Sequence, residues 1–495
     1  MSNLNVTEMV QETIVINNDP SMEVIPSIDS KLSSQKKEEE DSTKDSDKES
    51  DNDSETESSN KGIVGLNNQG NTCYLNSVIQ ILSNLDHFRN YLFEGNFVGS
   101  LKPELDDSLF YQTYRIIKHL WETTSDDLTP KSFRKKFIEK ENQFMGFNQQ
   151  DSHEAMQFLI DNLHEEIAQP IDINVSLPSE LNEFFDMCDK YYSDENENKD
   201  KDKSILKIID DNRDKALDYF AMKYYSTISK KYSEIYELFH SITCDLIKCP
   251  NCNHLKYKFD NGSIISLGFP ELNDDLIKES EQFKKFYDER VEEFKDKVTD
   301  TELITKFCLN ELKNKYIYKL SDLLNNYQKA EELDENNVWD CSNCEKKVRA
   351  LKQTKIYKHP KYLVFHFKRF KQIVVKGNVE IFKVKNLVGY EEMINIRHMM
   401  IKNSDSTNYK LVGGINHIGA YEFGHFTNFA KNNGKWYNYN DSRVNEINCS
   451  GIPISPNAYM LIYERIEDSE IVTVPTSVST PGPTSGPSAI DTSMD

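Results

Sequence analysis

The sequence predicts an α+β fold with helices early in the chain and strands late. Apolar residues recur at helical spacing over Leu75, Val78, Ile79 and Leu82, and again over Met156, Leu159, Ile160, Leu163 and Ile167. The later segments Tyr362-Leu363-Val364-Phe365-His366-Phe367 and Trp436-Tyr437-Asn438-Tyr439 are rich in β-branched and aromatic residues, and Gly or Pro punctuates their surroundings. No internal repeat of solenoid length is visible, which argues against a repeat array.

The size of the core follows from composition. A chain of 495 residues with 25 Tyr and 26 Phe can fill a large folded unit. Its formal net charge of −23 opposes a binder that neutralises nucleic-acid phosphates and suits a partner with a basic surface. Between Glu38 and Glu57, 11 acidic residues against two lysines account for −9 of that charge, so the remainder of the chain is acidic as well. The sequence contains neither a signal-like start nor an apolar run of membrane-spanning length, so an intracellular protein without a membrane partner is expected. The nine cysteines include two Cys-x-x-Cys pairs, a pattern of metal ligands and a reactive thiol rather than of a disulfide framework.

Three regions follow. Residues 1–61 form an acidic tail poor in aromatics and expected to be disordered; 62–466 is the folded part; 467–495 is a second disordered tail, rich in Pro, Ser and Thr. Within the folded part, about 189–214 is a Lys, Asp and Asn run and about 273–315 is charged with spaced apolar residues, and both read as insertions. The second suits helix.

The densest chemical signal is Gly65-Leu66-Asn67-Asn68-Gln69-Gly70-Asn71-Thr72-Cys73-Tyr74-Leu75-Asn76-Ser77, a polar loop running directly into a helix. Cys73 falls in the first turn, where unpaired N–H groups and the positive end of the helix dipole favour the reactive thiolate. A cysteine in such a place is otherwise a small buried hydrophobe. The block resembles the Cys box of the ubiquitin-specific proteases. The resemblance implies that Cys73 is the nucleophile and that Asn68 points its amide N–H at the tetrahedral oxyanion, a charge that develops only in the transition state. Asn67 and Asn71 suit turns.

A thiol nucleophile needs a histidine to take and return its proton, and eleven are present. The segment from His417 to Thr427, followed by Gly434 to Val444, resembles the His box of the same family, and the correspondence picks His425. Asn440 or Asp441 could accept from its other ring nitrogen, and the resemblance puts Asn440 in the third position. If the Trp436–Tyr439 strand continues through both residues, their side chains point to opposite faces. Gly424 allows a backbone turn beside a substrate tail of small residues. His417 is expected to be structural or pocket-lining, and Phe426 stands where the family usually has Tyr.

Cys249-Pro250-Asn251-Cys252 and Cys341-Ser342-Asn343-Cys344 have the spacing that lets both thiolates of a pair reach one tetrahedral ion, so a structural zinc held by Cys249, Cys252, Cys341 and Cys344 is expected. Their wide separation in sequence is no obstacle, because loop-closure cost grows slowly with length. Cys188, Cys244, Cys308 and Cys449 have no paired spacing. Gln149-Gln150-Asp151-Ser152-His153-Glu154 precedes a helix and suits an N-cap at Asp151. It also resembles a family block, which implies that Gln150, Asp151 and Glu154 bind substrate, with the acidic groups taking arginines of the ubiquitin tail; Ala155 stands in place of a bulkier residue. His366 suits a half-buried strand.

The resemblance spans residues 62–465 and implies a papain-like cysteine protease fold. A helical thumb would carry Cys73, a β-rich palm His425 and Asn440, and zinc-ribbon fingers would grip the body of ubiquitin. The implied activity is deubiquitination, with ubiquitin and ubiquitinated proteins as partners and nucleic acid excluded. A catalytically silent ubiquitin scaffold and a nucleic-acid or protein-binding ribbon, with Lys346, Lys347, Arg349 and Lys352 nearby, are the rival readings.

Overall fold

The computed structural model describes residues 61–172, 177–193, 203–294, 300–375, 378–404, 406–421, 423–447 and 457–467. The expectations for 1–60, 468–495 and Cys449 lie outside these residues.

The palm is one sheet whose strands, from edge to edge, are Arg443–Ile447, Lys435–Asn440, Gly424–Asn432, Asn408–Gly419, Ala458–Arg465, Tyr362–Phe367 and Ile265–Leu267, with Met393–Asn395 also paired to the start of Asn408–Gly419. Pairing along it is antiparallel until the last pair, which is parallel. Successive side chains of a strand point to opposite faces, and here both faces are covered. Val364, Ile415, Met460 and Ile462 meet the thumb helices, whereas Leu363, Phe365, Leu461 and Tyr463 meet Leu320, Leu323 and Leu324 of the helix Leu320–Tyr327 behind the sheet. The continuous apolar run Tyr362–Phe367 is fully buried for this reason.

The thumb gathers the helices Asp86–Glu94, Leu109–Glu122, Lys131–Lys140 and Ser152–Ile167 around Cys73–Ser83. The spacing of Leu75, Val78, Ile79 and Leu82 suggests an amphipathic helix, yet every residue of Cys73–Ser83 is buried. Its polar residues are consumed by the strands and helices around it. Asn76 donates to the Leu66 carbonyl, Gln80 to the Val64 carbonyl, and the Ser83 hydroxyl accepts from the Trp121 indole. Contact with the palm is close because Gly413 lies under Ile81; a Cβ there would sit 2.3 Å from the Ile81 terminal methyl.

The fingers are a second sheet, Leu255–Gly262, Ser241–Lys248, Leu351–Lys358 and Glu331–Glu332 in that order, with the hairpin Trp339–Cys341 and Lys346–Val348 near its tip. The helices Ser179–Ser193, Lys203–Asp211 and Arg213–Ile228 pack Phe184, Cys188, Ile209 and Tyr219 against Ile242, Cys244, Tyr257 and Tyr357 of these strands. The described part of the charged run 189–214 thus covers the fingers instead of projecting from them. The stretch 273–315 forms the helices Asp274–Glu279, Glu281–Phe294 and Thr301–Lys315 with a separate small core of Phe283, Ile304, Cys308 and Leu309. Among the described residues no helix is long and apolar enough to cross a membrane.

Candidate active site

Cys73 opens its helix, as its position after a polar loop suggests. The N-cap residue Thr72 makes no side-chain cap bond to the first turn. Its hydroxyl instead accepts from Gln69 N–H, and the Asn68 side-chain oxygen accepts from Gly70 N–H at 3.0 Å and Thr72 N–H at 3.1 Å. The positive end of the helix is therefore left to the thiol and whatever approaches it.

Across the cleft, the Gly424–Asn432 strand presents His425. Its Nε2 lies 2.8 Å from the Asn440 side-chain oxygen on the neighbouring strand, so Nε2 carries the hydrogen and Nδ1 faces the thiol. A hydrogen bond with Cys73 is the main cause that raises His425 to about 9, with burial opposing it and Asn440 assisting. A protonated imidazole beside a thiol at a helix start is the arrangement that stabilises a thiolate.

Asp441 does not continue the strand. Lys435–Asn440 ends one residue earlier, and Asp441 occupies the left-handed region with φ 49° in the turn before Arg443, a conformation that Asp tolerates better than most residues. Its carboxylate turns to the thumb and accepts from Asn68 Nδ2 at 2.9 Å and from Asn76 Nδ2 at 2.8 Å; its carbonyl accepts from Leu66 N–H. Because a carboxylate only accepts, this contact settles which way the Asn68 amide faces. Its oxygen holds the loop, one N–H is spent on Asp441, and the second N–H remains.

The acidic block lies at the start of the helix Ser152–Ile167. Asp151 is its N-cap, accepting from His153 N–H at 2.8 Å, and its other oxygen accepts from the Tyr459 hydroxyl at 2.5 Å. Burial raises the Asp151 carboxyl; burial and then the neighbouring Asp151 charge raise that of Glu154. The Gln150 amide donates to the Gln143 carbonyl, which turns it to the thumb loop. Gly424 is explained by its neighbour, since a Cβ there would lie 1.9 Å from His417 Nε2. His417 itself is buried among Phe370, Phe426 and Tyr459, and burial lowers it to about 3. His366 is a buried strand residue that stacks on His153 and bonds Ser266. Asn76, Tyr459 and Ser266 escape sequence reasoning, because a polar residue on a helix or strand gives no sign of what it meets across the fold.

At the tip of the fingers the sulfurs of Cys249, Cys252, Cys341 and Cys344 all lie within 4.8 Å of one another, with 3.8 Å between Cys249 and Cys344 and 3.6 Å between Cys252 and Cys341. A tetrahedral zinc with bonds to sulfur of about 2.3 Å separates its thiolates by about 3.8 Å. The two knuckles match: Asn253 and Glu345, each following the second cysteine of its pair, have φ of 60° and 56° and return an N–H to the carbonyl of the first. The donor set and spacing are compatible with zinc.

A thiol on a helix start facing an imidazole on a sheet, within a helical lobe packed on a β lobe, defines a thiol hydrolase of papain-like fold. Residues 64–463 match the model of the ubiquitin carboxyl-terminal hydrolase family, and the chain belongs to that family. It is 27% identical over 476 residues to a protein of Acanthamoeba polyphaga mimivirus named "Probable ubiquitin carboxyl-terminal hydrolase", covering 82% of this chain and 90% of that one. It is 24% identical over 417 residues to human ubiquitin carboxyl-terminal hydrolase 2, covering 82% of this chain and 56% of the human one. Among solved structures, the SAGA DUB module Ubp8/Sgf11/Sus1/Sgf73 bound to monoubiquitin is similar with a TM-score of 0.55 at 19% identity, over 82% of this chain and 70% of that chain. The same module bound to ubiquitin aldehyde is similar with a TM-score of 0.53 at 21% identity, over 82% of this chain and 70% of that chain.

Proposed function

We propose that this chain hydrolyses the thioester, ester, peptide and isopeptide bonds formed by the C-terminal glycine of ubiquitin, acting on ubiquitinated proteins. The observation that carries this reading is the open helix start at Cys73 facing a His425 that Asn440 orients. The Cys73 thiolate attacks the glycyl carbonyl carbon, and the carbonyl electrons move to oxygen. First-turn N–H groups and the remaining N–H of Asn68 stabilise that oxyanion. His425 gives its proton to the departing amine as the carbonyl re-forms. It then takes a proton from water, which attacks the thioester and releases the carboxylate and the thiol.

Gln150, Asp151, Glu154 and Gly424 are proposed to line the path of the ubiquitin tail. Two carboxyls raised by burial, that of Glu154 also by the neighbouring Asp151 charge, suit an incoming arginine, whose charge relieves both. Cys249, Cys252, Cys341 and Cys344 would hold zinc, which clamps the tip of the fingers without taking part in the reaction. Residues 62–466 are proposed as the catalytic domain, so a fragment of residues 61–466 should keep its activity. A loss beyond about tenfold, or ~1.4 kcal/mol of transition-state stabilisation, on truncation would assign a tail to the active unit. The reading as a whole is tested with a ubiquitin bearing a C-terminal electrophile: it should label the wild-type protein at Cys73, and the absence of any adduct would sink it.

Asn440 and Asp441 are expected to act by separate routes. Asn440 orients His425, whereas Asp441 aims Asn68, so Asp441→Ala should cost about as much as losing one oxyanion donor, up to ~100-fold in kcat. Asp441→Ala should then add little to Asn68→Ala, while Asn440→Ala should multiply with it. A double-mutant cycle in which Asp441 couples to Asn440 and not to Asn68 would reassign Asp441 to the imidazole.

A further inference from the structure

The palm strand Asn408–Gly419 outruns its neighbour. Ala458–Arg465 pairs with it as far as Asn416, and the carbonyl of Asn457 takes the N–H of His417. Beyond that point the carbonyls of His417 and Gly419 have no strand beside them among the described residues. The Lys383 ammonium occupies this edge, donating to the His417 carbonyl and, at 3.3 Å, to the Gly419 carbonyl.

Lys383 closes the hairpin made by Phe370–Val375 and Asn378–Lys383, where it pairs in register with Phe370. Cross-strand partners share a face. Phe370 accordingly packs edge-on against His417 at 5.2 Å and Tyr421 at 5.3 Å between ring centres. One rung of the hairpin thus grips residues 417–421 twice, once by an aromatic edge and once by a cation. Within this stretch Gly419 pairs with Gly424 and Ile418 with His425.

We propose that Lys383 is a positioning residue for the substrate tail: by capping the His417 and Gly419 carbonyls it fixes residues 417–421 as one wall of the cleft. This rests on the deubiquitinase reading above. The cost of the arrangement is visible in the lysine itself, which burial and then Arg369 and Lys385 lower to about 8. An ammonium kept at such a site, with like charges as its main charged neighbours among the described residues, is retained for the two carbonyls it holds. Towards the tip of the hairpin the paired Val374 and Val379 are largely exposed, so the described grip on the cleft wall lies at its base.

The test compares wild type, K383M and K383R in cleavage of ubiquitin-aminomethylcoumarin, with thermal melting to establish folding and iodoacetamide alkylation of Cys73 to report the catalytic pair without ubiquitin. K383M should raise KM about tenfold with kcat nearly unchanged, the signature of lost binding shared by ground and transition states, and K383R should restore most of it. The alkylation rate should be the same in all three. An unchanged KM in folded K383M overturns the proposal, and so does an alkylation rate that falls in step with cleavage, which would put the lysine's effect on the Cys73–His425 pair. Should K383M not fold, K383Q takes its place with the same expected rise in KM, and a wild-type KM in K383Q is equally fatal. Wild-type protein that leaves the substrate intact would refute the deubiquitinase reading, whereas equal cleavage by wild type and variant refutes the role of Lys383 alone.

Discussion

Cys73→Ala should abolish cleavage of ubiquitin conjugates, by about 10⁴-fold or more in kcat, while ubiquitin binds as tightly as before or more tightly. The two halves of this expectation have different origins. Turnover should disappear because, in the proposed mechanism, the sulfur forms the acyl bond, and neither His425 nor Asn68 can supply a nucleophile in its place. Affinity persists because the side chain is buried at the start of its helix and contributes almost no contact area to a protein-sized ligand. Alanine in its place also removes the hydrogen-bond partner that is the main cause raising His425 to about 9, so the imidazole should titrate well below that value in the variant. Steady-state turnover, ubiquitin binding by calorimetry and NMR titration of the ring check the three statements separately. Undiminished turnover by the alanine variant would end the mechanism.

Cys249→Ser or Cys344→Ser should release one equivalent of zinc and melt the fingers. A structural zinc in small domains is worth on the order of 10 kcal/mol of folding free energy, more than a ribbon of this size can recover from its few apolar contacts. The core beside the four sulfurs is small, with only Val348 and Ala350 buried against them and Ile247, Leu333 and Trp339 partly buried at its edge. The palm and thumb have their own cores, so near-UV circular dichroism should retain much of its signal while hydrogen exchange accelerates across Ser241–Lys248 and Leu351–Lys358. Finding no metal in fully folded wild-type protein would exclude the zinc.

The sequence displays the parts whose meaning is local and hides those whose meaning is relational. Cys73 can be found because a polar loop entering a helix is a local pattern, and the four cysteines because their spacing is. The strand Tyr362–Phe367 betrays itself by its run of β-branched and aromatic residues. The helices of the described residues between 179 and 228 are harder to read, because Lys, Asp and Asn crowd the solvent side and dilute the apolar positions Ile205, Ile209 and Leu217 that meet the fingers. Asp441 is the instructive case. The pattern of Trp436–Tyr439 extends naturally through it, but the chain turns after Asn440, and its carboxylate finds Asn68 and Asn76, more than 360 residues earlier in the sequence. No periodicity encodes such a bond. Lys383 is similar: in sequence it is one lysine among many, and only the shortfall of a neighbouring strand gives it work.

The small helical unit of 273–315 begins and ends at nearly one point. Lys313 pairs with Asp274, and the Asn386 amide takes the carbonyls of Lys313 and Tyr316. A segment with adjacent ends and a private core behaves as a cassette. Lineages can lengthen, shorten or exchange it without altering strand register elsewhere, and an engineer can splice a reporter at the same junction. In this chain, a change of size should be tolerated here, where the backbone enters and leaves by the same door.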